Sequence, residues 1–563
     1  MEKNQSAEQY EAEIVALKRG IEEARSFAIS KQNLVLELVK IGTALSGEKD
    51  HERLLEMIVD LVKRFTNADG CTLYIKDEKT KSLRFTIVQN DTLGVKMGGR
   101  AAKITWPPVS LVLADGSENH GNVSAHCALT GKIIKISDVY SSDFDFQGTK
   151  TFDASNGYRS KSMLVLPMRD HEDEVIGVIQ LINAQNRFTN EVIDFADTEK
   201  EIVASLASQA AIAITNTQLI SGLEELLQAI VKMVATAIDE KSPYTGGHVQ
   251  RVADFTEKIV KAINQTQTGK FAGIEFTDDQ AKEIKMAAWL HDVGKIITPE
   301  HIIDKSKKLE TIFDRIELIK LRVELLKKES IINRLKQQID AGDLKSDAAD
   351  DLADEIRDLD EKFGFMREVN TGGEFLRDDS LNRLLEMAAC QFEVAGEMQP
   401  LLNDDELKNL SIRKGTLIDS EREVINNHAA VTLKMLEALP FPKKMAKVPA
   451  YAGMHHEKMD GSGYPKGLTA EQVPLPARIL AVADIFEALT AADRPYKLGK
   501  LMSESMRIMG FMVKDNHLDK ELCDLVVQSG LAAEYARQCI AERQQDDFDW
   551  GGKKYAVKGE IKK

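Results

Sequence analysis

Of the eleven histidines five beyond residue 240 stand out: His248 after Gly247, His291 before Asp292, the adjacent pair His455 and His456, and His428. In Ala287-Ala288-Trp289-Leu290-His291-Asp292-Val293-Gly294-Lys295 an apolar helical run delivers an imidazole and a carboxylate side by side. That pairing suits a divalent metal of intermediate hardness, and the two oxygens of Asp292 allow it to bridge two ions. Lys295 follows His291 by four residues, so on a helix both share a face and the ammonium can meet a phosphate. A bare His-Asp pair has a plain explanation as a capped or salt-bridged pair. The Gly294-Lys295 that follows favours a site.

The adjacent pair His455-His456 diverges by about 100° if helical, which suits two ions better than one; the plain alternative is one core and one surface histidine. Asp484 sits in the apolar run Ile479-Leu480-Ala481-Val482-Ala483-Asp484-Ile485-Phe486. A lone ionised carboxylate is costly there unless it binds a metal or is held by Arg478 or Arg494. His428 and His248 carry little signal singly, and their value is in completing a set sufficient for two ions with positions left for water and substrate. The stretch Asp460-Gly461-Ser462-Gly463-Tyr464-Pro465-Lys466-Gly467 must be a loop, because Gly and Pro at this density break helix and strand alike. It offers the Tyr464 ring and the Lys466 charge, or it is merely a tight connector.

The elements that must hold these residues are mostly helical. From residue 243 onward strand signals are almost absent. Residues 305–414 form a charged stretch with Ile316, Ile319, Leu321, Leu325 and Leu326 at helical spacing, expected as an inserted helical hairpin with an accessory role. Upstream, Glu199 to Ile238 keeps helical periodicity through Ile202, Leu206, Ala210, Ile214 and Leu219. It is expected as a connector helix that pairs in a dimer and carries a rotation or register change, with a solvated spacer as the alternative. Before it, Leu54–Phe65 reads as an amphipathic helix and Cys71–Ile75, Leu83–Val88 and Val175–Ile182 as strands, which makes an α+β domain. Residues 1–45 read as a further helix that pairs in a coiled coil.

At 563 residues the chain exceeds one compact core. A composition of 43% hydrophobic and 29% charged residues is that of a globular protein. A formal charge of -16 disfavours long nucleic acid and anionic membrane surfaces as partners, so a small anionic substrate needs a local positive site. No apolar run approaches the roughly 20 residues that span a bilayer and no secretory signal is visible. Five scattered cysteines (Cys71, Cys127, Cys390, Cys523, Cys539) fit reduced thiols in a cytoplasm.

Taken together, His291-Asp292 with Gly294-Lys295, His455-His456-Glu457, Asp460-Gly461 and Gly463-Tyr464-Pro465 resemble the signature of HD-GYP phosphodiesterases. The likeness covers about residues 236–530 apart from the insertion, and continues through Asp484 to Thr490 and Arg494-Pro495-Tyr496-Lys497. It implies metal ligation by His248, His291, Asp292, His428, His455, His456 and Asp484, with Asp292 bridging two ions, iron or manganese. Lys295 would hold the scissile phosphate, and Gly463, Tyr464, Pro465, Arg494 and Lys497 would help to bind a cyclic dinucleotide. The implied reaction is hydrolysis of cyclic di-GMP to linear pGpG or GMP, with cyclic GMP-AMP or another phosphoester as alternatives. The implied setting is bacterial signalling. Where some members carry a Glu for a third metal, this chain has Tyr244, so two metals are expected.

Phe152-Asp153, then Asn156 to Met168 and Gly177 to Asn183, resemble GAF domains of cyclic-nucleotide phosphodiesterases. This implies a regulatory domain that takes a small ligand such as a cyclic nucleotide. The expected architecture is therefore a multi-domain homodimer: a GAF-like α+β sensor over 46–190, a connector over 191–235, an all-α HD-GYP catalytic domain over 236–540 and a tail over 541–563. The competing reading is a non-catalytic scaffold that binds nucleotide or a partner through the insertion.

Overall fold

The computed structural model describes residues 50–241, 247–341, 348–373, 375–394, 396–491 and 499–558, with isolated positions between 18 and 48. The helix expected over 1–45 lies almost wholly outside the described residues. The chain forms two compact units, Met1–Leu226 and Leu227–Lys563.

The first unit opens with α1 (His51–Thr66), started by the Asp50 side chain accepting from Arg53 N at 3.0 Å and stopped by Asn67 in the left-handed region. Leu54, Leu55, Ile58, Val59 and Val62 recur at helical spacing and are all buried. Eight strands follow: β1 (Ala68–Asp77), β2 (Ser82–Asn90), β3 (Val95–Gly98), β4 (Val109–Ser110), β5 (Ile134–Ile136), β6 (Met163–Arg169), β7 (Val175–Gln185) and β8 (Val192–Ile193). The sheet runs β3-β2-β1-β7-β6-β5 and its named pairs are antiparallel, with Leu73 opposite both Ile87 and Ile179. β1 is central and covered on both faces, so it is buried over nearly its whole length. One face packs on α1 and the start of a long helix, the other on α2 (Val123–Thr130). The strands expected at Cys71–Ile75, Leu83–Val88 and Val175–Ile182 fall inside β1, β2 and β7. Helix α3 (Gln147–Asn156) carries Asp153, which is fully buried and accepts from Ser160 N, Ser160 Oγ and Tyr140 Oη at 2.8, 2.9 and 3.1 Å. Asp153 thus braces its own turn.

The connector is α4 (Asp197–Asp239). Its first part is no solvated spacer, because Val203, Leu206, Ala210 and Ile214 are buried in the core of the first unit. Its last turns bury Val231 and Ile238 in the core of the second unit. On another face Leu219, Leu223, Leu226, Ile230 and Met233 are exposed.

In the second unit α5 (His248–Gln265), α6 (Asp278–Leu290), α11 (Asp419–Glu437), α12 (Val448–Gly453) and α13 (Leu475–Thr490) surround one apolar core. Phe255 stacks on Phe486 at 4.9 Å, and Tyr535 meets both edge-on at 5.1 Å. Helices α14 (Met502–Lys514), α15 (Lys520–Gln528) and α16 (Leu531–Cys539) complete it. Residues 541–558 belong to the second unit: β11 (Phe548–Trp550) pairs with β12 (Lys553–Tyr555), and Phe548 and Val557 are buried in the main core.

The insertion is more than a hairpin. Beside α7 (Ile316–Ala341) and α8 (Ala348–Asn370) it holds α9 (Asp378–Ala388), α10 (Asp404–Leu410) and the pair β9 (Gln391–Val394) with β10 (Glu397–Pro400). These enclose a core of their own that includes Leu309, Ile319, Val323, Met366, Leu384, Leu401 and Leu410. No helix among the described residues is long and apolar enough to cross a membrane.

Candidate metal centre

The helices of the second unit bring seven donors together from distant places in the chain. His248 is the first residue of α5, and His291 caps the C-terminus of α6 with Asp292 directly after it. His428 lies within α11, His455 and His456 in the turn after α12, and Asp484 in the middle of α13. They fall into three overlapping groups, His248-His291-Asp292, His291-His455-Asp484 and His428-His455-His456, each with donor atoms within 4.8 Å of one another.

Asp292 is the hub. Its Oδ2 lies 3.2 Å from His291 Nε2 and 3.6 Å from His248 Nε2, while its Oδ1 lies 3.4 Å from His428 Nε2 and 4.0 Å from His455 Nε2. Asp484 Oδ1 lies 3.3 Å from His248 Nε2 and 3.7 Å from His291 Nε2. Arg478 is not its partner, for that side chain bonds Val473 O, Ala470 O and Asp519.

The tautomers follow from the backbone. The Nδ1 atoms of His291, His428 and His455 face the carbonyls of Ala288, Ile425 and Ala452 at 2.7, 2.5 and 2.6 Å. Each Nε2 is thereby left as a lone pair pointing into the site. His291 Nε2, Asp292 Oδ1, His428 Nε2 and His455 Nε2 are buried without a hydrogen-bond partner. Four converging orphaned acceptors are costly unless a cation satisfies them. The donor set, imidazole with carboxylate, fits a divalent transition metal.

Electrostatics divides the cluster. Burial pulls the His248 ring down, but Asp292, Asp484 and Glu487 outweigh it and hold the imidazole well above its usual range. Against the same burial, Asp292 and Asp484 push His291 up to about 9. Burial would raise Asp292 and Asp484, yet the facing imidazoles, with Lys295 beside Asp292, hold both well below the usual carboxylate range. On the other side burial drives His456 down to about 4 and lowers His428 and His455. Those three rings stand neutral, whereas His248 and His291 would release a proton when a cation takes its place among the carboxylates.

Lys295 is not on the helix that carries His291. Helix α6 ends at Leu290, and residues Val293–Ile297 form a 3-10 turn. The turn docks on α11: Gly294 N donates to Thr432 Oγ1 at 2.9 Å, and Thr432 Oγ1 donates to His291 O at 3.0 Å. From this turn Lys295 Nζ reaches Asp292 Oδ2 at 2.7 Å. The two adjacent histidines likewise sit in a turn, with ring centroids only 4.0 Å apart, so they converge.

The loop from 460 to 467 is built around Glu457. This buried carboxylate accepts from Lys466 N at 2.7 Å and Leu468 N at 2.8 Å. Gly463 packs so closely on the 456–458 backbone that a Cβ would meet Lys458 N at 2.4 Å. Tyr464, joined to Pro465 by a cis peptide, lays its ring 4.8 Å from that of His456. Tyr244, Arg494 and Lys497 lie outside the described residues.

Sequence reasoning assigned nothing to Glu487, Arg251 or Thr432. Glu487 stands three residues after Asp484 on α13, hence on the same face, and a second carboxylate in an apolar helix was a readable signal. Arg251 and Thr432 carried none, since their partners are remote in the chain.

Residues 50–214 match the GAF domain family, and residues 245–361 and 385–522 match HD domain families. The "3'3'-cGAMP-specific phosphodiesterase 1" of Vibrio cholerae is 38% identical over 130 residues, 23% of this chain and 29% of that protein. The "Cyclic di-GMP phosphodiesterase response regulator RpfG" of Xanthomonas campestris is 37% identical over 116 residues, 20% of this chain and 28% of that protein. The chain thus spans less than a third of these relatives' length. Among solved structures, a GAF domain/HD domain protein from Geobacter sulfurreducens is 17% identical with a TM-score of 0.22, covering 31% of this chain and 98% of that one.

Proposed function

We propose that this chain, in which an HD domain follows a GAF domain, is a metal-dependent phosphodiesterase that hydrolyses a cyclic dinucleotide, cyclic di-GMP first and 3'3'-cGAMP as the alternative. The observation that carries the reading is the convergence of seven donors in three overlapping groups with Lys295 alongside. Relatives bearing both substrate names support the class of substrate.

His248, His291, Asp292, His428, His455, His456 and Asp484 would hold two divalent ions, iron or manganese, with the two oxygens of Asp292 turned to different imidazoles. When bound, such ions supply an acidified water and positive charge for phosphate oxygens. Lys295 holds a non-bridging oxygen of the scissile phosphate and steadies the charge that develops there. Tyr464 offers a ring for a base to stack on, and the Gly463–Pro465 turn shapes the pocket wall. Arg494 and Lys497 would add positive charge for the second phosphate. The GAF domain is the regulatory part and takes a small ligand. The exposed Leu219, Leu223, Leu226, Ile230 and Met233 repeat at intervals of four and three residues, the spacing of a helix that pairs with a second copy. We place the protein in the cytoplasm, where its five unpaired cysteines stay reduced.

The test is turnover of cyclic di-GMP and 3'3'-cGAMP by protein loaded anaerobically with manganese or iron, with Asp292→Ala as control. Linear dinucleotide is expected from the wild type and none from the variant. Tight nucleotide binding without turnover, unaffected by Asp292→Ala, would instead favour a scaffold.

A further inference from the structure

The last turn of α4 is tied to the site by two side chains. Lys241 N bonds Ile238 O at 3.1 Å, so this residue continues the helix end. Its Nζ donates to the carbonyls of Lys295, Ile296 and Thr298 at 3.1, 2.6 and 2.7 Å. An ammonium has three protons, and here all three go to the backbone of the turn that carries Lys295. Two residues earlier, Asp239 Oδ2 accepts from Val249 N at 3.3 Å, next to His248. Lys295 O also accepts from Thr298 N at 3.0 Å, and a cation at the end of a helical turn meets the negative end of its dipole.

We propose that Lys241 is a positioning residue for Lys295, and that it makes the end of the connector helix a latch on the catalytic turn. The inference rests on the phosphodiesterase reading for what Lys295 does, and on the three hydrogen bonds alone for what Lys241 does. The ammonium of Lys241 bonds three backbone carbonyls, so its charge is spent on the turn. Val293 is buried in the core and Thr432 holds Gly294, so the first half of the turn is fixed, whereas Ile296 and Ile297 in the second half are exposed. Lys241 fixes the second half. An axial shift or rotation of the end of α4 would therefore pull on the backbone of Lys295 directly. The latch gives the connector a route to the reacting phosphate through the backbone of Lys295.

The experiment compares the full manganese-loaded chain with Lys241→Met and Lys241→Arg, reading hydrogen exchange by peptide, bound manganese and steady-state kinetics. In Lys241→Met the peptide over 292–298 is expected to exchange about tenfold faster while the rest of the second unit keeps its protection. Manganese content stays as in the wild type, and kcat falls about tenfold, as expected when a catalytic group is misplaced by a fraction of an ångström. Lys241→Arg, which also donates to carbonyls, restores most of both. Unchanged exchange over 292–298 in Lys241→Met overturns the proposal, as does loss of protection throughout the second unit, which would make Lys241 merely structural. If the wild type turns over neither dinucleotide, the functional reading fails while the exchange comparison still decides the latch.

Discussion

Glu487 holds the Nδ1 side of His248, where the three other imidazoles next to Asp292 hold a backbone carbonyl. Its second oxygen accepts from Arg251 Nε at 2.6 Å, which keeps the carboxylate ionised and in place. A carboxylate behind an imidazole makes it a stronger and better oriented ligand than a carbonyl does. Glu487→Gln keeps the shape and removes the charge. It is expected to weaken manganese binding by about 10- to 100-fold with the fold retained, measured by calorimetric titration of metal-free protein. An unchanged titration would remove Glu487 from the site.

Gly294 marks the point where the catalytic turn touches α11. A Cβ there would lie 2.0 Å from His428 O and 2.7 Å from Thr432 N, both backbone atoms that cannot rotate away. Gly294→Ala is therefore expected to destabilise the second unit by about 1–3 kcal/mol through overpacking and to displace His428. Urea unfolding checks the first effect and manganese stoichiometry the second. Wild-type values in both would mean the turn shifts freely.

The exposed stripe on α4 predicts self-association. Leu223 and Ile230 lie one heptad apart and are 65% and 45% exposed. Leu223→Asp with Ile230→Asp should convert a dimer to a monomer in sedimentation equilibrium at micromolar concentration. A wild type that sediments as a monomer over the same range would show the stripe to be unpaired.

Lys308 anchors the insertion by donating to Leu410 O at 3.0 Å and Ile412 O at 2.8 Å. Burial pushes its ammonium down to about 8, below the 10.5 of a free lysine. Between those values the unfolded chain binds the extra proton, so the contribution of this group to stability rises with pH over that window. The neutral amine keeps two donors for two carbonyls. From pH 8 to 10 the urea midpoint of the wild type should therefore gain on that of Lys308→Met; parallel curves would contradict the shift.

Much of the candidate site was legible along the chain. An imidazole beside a carboxylate, two adjacent histidines and an Asp inside an apolar helix are expensive or unusual on their own, so each announces a partner. The strands at Cys71–Ile75, Leu83–Val88 and Val175–Ile182 were legible because alternation and β-branched residues suit a pleated core. Where local chemistry sufficed, the sequence alone determined the outcome: residue types, element types and the division into an α+β and a helical part.

Tertiary structure decided what local chemistry leaves open. Sequence placed His291 and Lys295 on one helix, but Gly294 must press against His428 O, and this close approach breaks the helix into a tight turn. Glu487 became the partner of His248, and Arg478 turned to Asp519, because packing chose among carboxylates that sequence could not rank. Residues 541–558 joined the second unit because Phe548 and Val557 had an apolar surface to cover. Spacing along a chain sets which faces residues share within an element. Which elements meet, and therefore which buried charges are paired, is settled only when the whole core closes.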